Sequence, residues 1–496
     1  MAHRLSDGWK IVPVIVFLLS SGTLLSQGRD TPLTMQGVDQ SVPSSVASRS
    51  MGGLLFSPSH DPALLFSNPT SLIALTGFQL SVGGLSESNN ATQTQEWYPQ
   101  KYYAGFSLLM EGLTGLIDNP NPGKPGVVFR NGGDTVQRPF DNIPPNWAYA
   151  KSKNLPLQAV AALPFSYQGT KFAVGAGFAE YANLNQYYAN NNVLSPDIGS
   201  ERPSPILLPS ANDSVKAYWY QYAHLREGSI YGYGGAISAA LSDELSFGVS
   251  AMLLKGSSTD AETETGRGSL LFVYTPENYF VVDSIAAHSS LNGTSDFSGQ
   301  EYTMSASYRG RYVTIGANIK PPGTITRKYS GLAVKDTGGV HTETAVNGQD
   351  EMKLPWRGTV GISIVVRENV TVGLEYELRP FASALYTASD GTTSNPWMSA
   401  SLLHVGGEYV AADWLAVRAG VRQEAEAFQE IGAPIASEPI TYSVYSVGVG
   451  VRYGGIALNV AWEYATMKYQ DLWATNVNFN NQTTQRMIAD VSYVLE

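Results

Sequence analysis

Charged side chains in the second half of the chain recur on one face of segments whose opposite face is apolar. The members of this polar face are Glu375, Glu377, His404, Glu408, Arg418, Arg422, Arg452 and Glu463. Both signs are present, so opposite charges on neighbouring segments can pair and fill an interior. The same groups can also contact a polar part of a ligand. The sequence favours the structural role over ligand contact.

Residues that carry catalytic or metal chemistry are thinly scattered. The six histidines show no metal-ligand spacing, and the chain has no cysteine. No Gly-x-Ser-x-Gly nucleophile elbow lies in a strand–turn–helix setting, and the glycine run at 231–235 precedes no helical pattern. The net charge of −11, with a pI near 5.1, argues against nucleic acid. We therefore expect no catalytic residue, metal, cofactor or nucleic-acid partner, although a barrel enzyme such as an outer-membrane phospholipase stays open in principle.

The elements that would position the charges are β-strands, because apolar residues alternate with small or polar ones. In residues 445–453, Tyr and Val hold the odd positions, whereas Ser, Gly and Arg hold the even ones. Gly454-Gly455 then supplies a turn, and residues 456–464 repeat the alternation. A period of two excludes a helix here. The same period recurs in segments 245–251, 370–378 and 415–422.

Short turns alternate with long connections along most of the chain. We predict about fourteen strands, at 76–86, 155–166, 170–181, 229–240, 245–256, 299–309, 312–319, 355–366, 370–379, 399–410, 414–423, 441–453, 456–468 and 484–495. The long connections are predicted at 182–228, 257–298, 320–353, 380–398, 424–440 and 469–483. An outer-membrane barrel has an even strand number, short periplasmic turns and long outer loops, which places both termini in the periplasm.

The alternative is a soluble antiparallel β protein whose sheet has one solvent-exposed face. Such a face should be dense in Lys, Glu and Thr, whereas the polar face here is largely Gly, Ser and Ala. Several predicted strands also carry an aromatic residue near one end, as an interfacial girdle would. We therefore predict an all-β fold, a transmembrane antiparallel β-barrel of about fourteen strands with an N-terminal luminal hatch, or plug.

The hatch prediction rests on the first 75 residues, which do not alternate. Basic residues precede an apolar run at 11–25, which is typical of an export signal; the run is short for an anchor helix and contains Pro13. After it, short apolar clusters are broken by Gly and Pro, which indicates compact turns and short helices. The predicted parts are a signal peptide at 1–27, a hatch at 28–75 and the barrel at 76–496.

The stretch that ends at residue 75 resembles the N-terminal hatch of the FadL/TodX-type family of outer-membrane transporters for long-chain fatty acids and hydrophobic compounds. That hatch has a glycine-containing segment, an Asp and then an Asn-Pro-Ala motif. Asp61, Asn68 and Pro69 match, and Thr70 stands where the family has Ala. Looser similarities to the family lie at 319–325, 353–361, 405–409 and 418–421, so the resemblance covers most of the chain. The chain ends in Glu496, where the family usually has an aromatic residue.

The resemblance implies a fourteen-strand barrel closed by a hatch, with passive, diffusion-driven uptake of hydrophobic small molecules. In the family the Asn-Pro-Ala segment lines the route. The predicted gate is therefore Asp61, Asn68, Pro69 and Thr70. Candidates for an apolar ligand path, which serve equally well as plug core, are Leu54, Leu55, Phe56, Leu64, Leu65 and Phe66. Weaker candidates for first capture of a ligand are Tyr187, Tyr188 and residues 206–208.

The expected partners are a hydrophobic ligand, outer-membrane lipid and the barrel-insertion machinery. We expect a monomer, although the sequence leaves the oligomeric state open. The alternative function is a scaffold or shuttle in secretion or surface attachment, for which long outer loops would suit a protein partner. A general porin for hydrophilic solutes is a third possibility, and the plug argues against it.

Overall fold

The computed structural model describes residues 35, 37–38, 45–57, 61–96, 146–191, 214–273, 279–283, 287–426, 433–434, 439–473 and 476–495. In this part of the chain, no helix has both the length and the apolar character needed to cross a membrane.

Most of the described residues lie in β-strands. In chain order these are β1 (Phe78–Glu96), β2 (Trp147–Tyr167), β3 (Thr170–Asn183), β4 (Gln186–Asn191), β5 (Ser214–Ala240), β6 (Leu245–Val273), β7 (Tyr279–Asp283), β8 (Ala287–Arg309), β9 (Val313–Lys320), β10 (Gly323–Thr337), β11 (Val340–Leu354), β12 (Arg357–Arg367), β13 (Val370–Arg379), β14 (Leu385–Thr387), β15 (Thr393–Ser394), β16 (Ala400–Ala412), β17 (Leu415–Glu426), β18 (Ala433–Pro434), β19 (Ile440–Tyr453), β20 (Ile456–Trp473) and β21 (Asn476–Leu495).

Within the described ranges, 14 antiparallel barrel strands form one closed barrel. The ring closes where β1 pairs with β21, in a register that runs from Phe78–Leu495 to Glu96–Val477. Three barrel strands are built from two pieces each: β3 with β4, β9 with β10, and β11 with β12. The predicted fold class, a fourteen-strand antiparallel transmembrane barrel, is confirmed.

The outer surface carries an apolar belt near the end of the barrel where the short turns lie, which we call the turn end. In β19, Tyr445, Val447 and Val449 are exposed, whereas the residues between them are buried inside. Most exposed large apolar side chains lie within about ten residues of a short turn, the length of a membrane-spanning β-strand. The predicted tight turns at Gln168-Gly169 and Gly454-Gly455 are confirmed.

At the opposite, extended end the strands run further than the sequence predicts. The segment 320–353 is not a loop, because β10 and β11 pair along their whole length around a turn at Gly338-Gly339. Most of 257–298 is also strand, since β6 pairs with β8 as far as Gly266–Ala287. Residues here are polar on both faces, so the alternation that marks the lower strands is missing. Ladder hydrogen bonds to neighbouring strands stabilise them instead.

Residues 45–57 and 61–75, which we call the N-terminal segment, lie inside the barrel. They contain helix α1 (Val46–Ser50) and 3₁₀ helices at Pro62–Leu64 and Pro69–Ala74. Ser45 caps α1 by accepting a hydrogen bond from the Ser48 amide, and its hydroxyl donates to Asp61 over 2.5 Å. The rest of the hatch predicted at 28–75 falls mostly outside the described residues.

Wall glycines allow this segment to touch the barrel backbone. A Cβ on Gly406 would lie 2.1 Å from the Met51 carbonyl oxygen, and one on Gly316 would lie 2.0 Å from the Phe56 ring. Gly175, Gly248, Gly373, Gly420 and Gly448 make similar close approaches to the segment from other strands. The small residues on the polar face therefore make room for the segment rather than for water.

We expect Gly406→Ala to displace the N-terminal segment without unfolding the barrel, because the added methyl group and the Met51 carbonyl would occupy the same space. Limited proteolysis of the segment should accelerate, while heat-modifiable electrophoretic mobility stays that of a folded barrel. The matched control is Gly84→Ala, whose Cβ would meet only the Leu155 carbonyl oxygen, at 3.7 Å. Identical cleavage of both variants would show that the contact does not hold the segment.

Candidate functional site

Buried hydrogen bonds fix the N-terminal segment to the wall. Glu375 on β13 accepts from the backbone N–H groups of Leu55 and Phe56, each at 2.7 Å. The Ser363 hydroxyl on β12 donates to the Phe56 carbonyl oxygen at 2.7 Å. Glu375, predicted as a luminal charge, thus contacts the segment directly. These bonds satisfy backbone groups that would otherwise be unpaired in the interior.

The predicted gate residues form a hydrogen-bonded turn. The Asn68 amide donates to the Leu55 carbonyl oxygen at 2.8 Å, and the Thr70 hydroxyl donates to Asn68 Oδ1 at 2.6 Å. The Thr70 backbone N–H donates to the Ser305 hydroxyl on β8 at 3.2 Å, and the Ser238 hydroxyl on β5 donates to the Pro69 carbonyl. Thr70 therefore supplies a bond to Asn68 that alanine at this position could not make.

A buried ion-pair network joins the segment to a further part of the wall. The Glu463 carboxylate on β20 forms ion pairs with Arg49 of α1 and with Arg422 of β17, each at 2.7 Å. These three residues are at most 3% exposed. Arg422 also contacts Glu424, and Arg486 lies 3.6 Å from Glu463. Sequence reasoning missed Arg49, which lies in a helix outside the strand pattern.

The other predicted luminal charges separate into paired and exposed groups. Glu408 pairs with Arg418 at 2.6 Å, and Glu377 pairs with Arg379 at 2.7 Å. His404 is buried and lies 3.7 Å from Glu377. Arg452 has the inward phase of β19 but is exposed, two residues before the Gly454-Gly455 turn.

All six apolar candidates are buried, at 0 to 7% exposure. Leu55, Phe56 and Leu64 form one cluster, whereas Leu65 and Phe66 join a larger core with wall residues such as Val160. Leu55 and Phe66 also border a cavity. Their packing explains their burial, and a role in ligand passage stays a prediction.

Three neighbouring cavities lie between the extended end and the N-terminal segment. The outermost, which we call the vestibule, has roughly 1110 Å³ of space including its open mouth. The inner cavity, roughly 920 Å³, lies on Gly53, Leu55 and Phe66. A middle cavity shares Glu87 and Arg486 with the vestibule, and Glu180 and Glu424 with the inner cavity. The vestibule lining is more polar than apolar, whereas the inner cavity exposes more apolar than polar surface.

Aromatic rings line the vestibule. Tyr149 and Tyr187 stack with centroids 4.1 Å apart at 10°, and Trp147 meets Tyr187 edge-on at 5.1 Å. Burial raises the pKa of Tyr149 and Tyr187, so both phenols stay protonated donors near neutral pH. Tyr187, a predicted capture residue, thus borders this cavity, whereas Tyr188 is buried and 206–208 lies outside the described residues.

The third barrel strand is interrupted beside these cavities. β3 ends at Asn183 and β4 begins at Gln186, with a register shift against β5 near Tyr181. The Leu184 N–H still donates to the Gly228 carbonyl at 3.1 Å. Gly37, at φ +85°, packs against the interruption, since a Cβ there would lie 2.9 Å from the Asn183 carbonyl oxygen. The wall thus has fewer ladder bonds at this level.

We expect Arg49→Met to loosen the N-terminal segment. Removing one partner of a buried pair costs about 3–5 kcal/mol, and less here because Glu463 keeps Arg422. The measurement is limited proteolysis together with steady conductance in planar bilayers, and both should rise. The control is Arg311→Met, an exposed arginine beside Tyr312 at the turn end. Unchanged conductance and cleavage in Arg49→Met would contradict the anchoring role.

The fold is a β-barrel of the FadL/TodX type. No protein-family model and no curated protein sequence matches the chain. The structure is similar to that of a Pseudomonas aeruginosa FadL homologue, with a TM-score of 0.58 and 12% identity over 93% of this chain and 100% of the other. It is also similar to the P. putida toluene transporter TodX, with a TM-score of 0.50 and 13% identity over 91% and 98% of the two chains. The predicted resemblance is confirmed for the fold.

Proposed function

We propose that this protein is an outer-membrane channel for the passive, diffusion-driven uptake of hydrophobic small molecules, such as long-chain fatty acids, other lipids or hydrocarbons. The observation that carries the proposal is the N-terminal segment, which occupies the lumen and is held by a few buried polar contacts. A segment held in this way acts as a hatch, because it prevents an open water channel yet can shift. The similar structures support the proposal through their descriptions as a FadL homologue and a toluene transporter.

The proposed orientation places the turn end in the periplasm and the extended end outside. This follows the usual arrangement of short periplasmic turns and long outer extensions. A signal peptide at 1–27 would direct export, the barrel-insertion machinery would place the chain, and outer-membrane lipid would surround the apolar belt. Both termini would then be periplasmic and the protein a monomer.

Transport needs capture followed by release. Burial of an apolar ligand contributes about 25 cal/mol per Å² of apolar surface, so clusters that include Leu55 and Phe66 can hold a ligand at the hatch. A ligand can shift the hatch from its closed to its open state only to the extent that it binds the open state more tightly. Passage past the Asn68–Thr70 turn is the proposed route, and the interruption at Leu184-Asn185 offers a lateral exit.

Conductance and ligand binding test the function together. We expect the reconstituted protein to show little steady conductance in a planar bilayer and saturable binding of a fluorescent fatty acid in detergent. Large steady conductance without fatty-acid binding would favour a porin and overturn the proposal.

The gate is tested by Asn68→Ala and by deletion of Asn68–Thr70. Loss of the Asn68 amide leaves the buried Leu55 carbonyl and Thr70 hydroxyl without these partners, at a cost of about 1–3 kcal/mol each. We expect altered fatty-acid uptake by proteoliposomes with heat-modifiable barrel folding preserved. Asn347→Ala, on the exposed part of β11, is the control. Unchanged uptake in the deletion variant would exclude this gate and leave the lateral exit.

One observation favours a second candidate function. The hairpin of β10 and β11 ends in residues 338–345, which are exposed on both faces beyond the apolar belt. Such a projection suits a scaffold or shuttle in secretion or surface attachment. Co-purification of one stoichiometric partner, with neither conductance nor fatty-acid binding, would favour this function.

A further inference from the structure

We propose that the vestibule is a binding site for a neutral sugar ring. This inference goes beyond uptake of a hydrophobic cargo, because the vestibule has the chemistry of a polar ligand site. Balanced charges, amide groups without partners among the described residues and an aromatic platform support it.

The vestibule lining holds four cations, Lys151, Lys153, Arg226 and Arg486, and two carboxylates, Glu87 and Glu426. Asp260 and Glu227 beside the lining bring the carboxylates to four, so the charges balance. Arg486 and Lys153 share Glu87, at 2.6 and 3.3 Å. Arg226 pairs with Asp260 at 2.6 Å, and Lys151 pairs with Glu227. A charged ligand would have to displace one of these partners and leave a charge unpaired in a partly buried site. The balance therefore favours a neutral ligand.

Amide groups in the same wall lack partners. Asn89 and Gln186 line the vestibule, and Asn89 Oδ1 and Gln186 Oε1 accept no hydrogen bond from the described residues. Further out, Gln93 and Asn480 face each other across β1 and β21, with buried amide atoms also unpaired within the described part of the chain. Each such group costs about 1–3 kcal/mol unless a donor or acceptor reaches it. An aliphatic chain offers none, whereas a ligand with several hydroxyl groups offers both.

Aromatic rings in the vestibule, which we call the aromatic platform, provide the apolar surface that a sugar ring would contact. Tyr187 stacks on Tyr149 and meets Trp147 edge-on, which fixes its ring orientation, and the Trp147 N–H donates to the Ala189 carbonyl at 2.8 Å. The C–H face of a pyranose ring is flat and weakly apolar, so it packs on a tyrosine while its hydroxyl groups point to amides. The vestibule is open to solvent, so a sugar ring seated on the platform need not be fully enclosed. The ring can come from a free sugar or from the head group of a glycolipid.

The test uses the full chain in a detergent without a sugar head group. Calorimetric titrations use glucose, galactose, N-acetylglucosamine and maltose as free sugars, and octyl glucoside below its micelle concentration as the glycolipid probe. We expect saturable binding of at least one probe. Preference for the free sugars indicates a soluble ligand, whereas much tighter octyl glucoside binding indicates a glycolipid head group.

Variants locate the site. Tyr187→Leu and Asn89→Leu should each weaken binding at least about tenfold, and Asn347→Leu on the exposed hairpin should not. Gln186→Met serves as a second amide variant if Asn89→Leu does not give a folded barrel. The proposal is overturned if no probe binds saturably, or if the vestibule variants bind as well as the wild type. Fatty-acid binding is measured separately, so failure here leaves the proposed uptake function intact.

Discussion

The close contact between the N-terminal segment and the barrel wall governs the rest of this structure. Fourteen strands enclose far more space than their own side chains fill. The segment fits into part of that space because Gly406 and Gly420 leave its backbone in contact with the strand backbones, and Gly448 makes room for the Ser50 side chain. Glu375 and Glu463 then pair with groups that the segment brings inside. Small wall residues and a few buried carboxylates thus act together, and neither would hold the segment alone.

The barrel could be predicted from the sequence where one face of each strand contacts lipid. There the alternation is strong, and the strand positions near the short turns agree with the structure. The extensions β10 and β11 could not be predicted this way, because water on both sides removes the apolar face that marks a strand. Their pairing depends on neighbours far along the chain, as between Leu332 and Asn292.

Some residues of the candidate site could likewise be predicted from the sequence, and others could not. The Asn68-Pro69-Thr70 turn and Glu375 were accessible to motif reasoning, because they lie in a recognisable stretch and on a regular strand face. Arg49 was not, since a single arginine in a five-residue helix has no periodic signal. The vestibule was also missed, because Asn89, Tyr149 and Gln186 come from three strands and meet only when the barrel closes.

The contacts of the N-terminal segment are spread around the barrel wall, which bears on the order in which the protein folds. Leu65 meets β3, Phe56 meets β9, Met51 meets β16 and β17, and Arg49 meets β20. These strands come together only when β1 finds β21, so a half-built sheet cannot present the docking surface. The segment precedes the whole barrel in the chain, yet its native contacts form last. The full set of contacts that buries the segment against the wall is therefore complete only in the closed barrel.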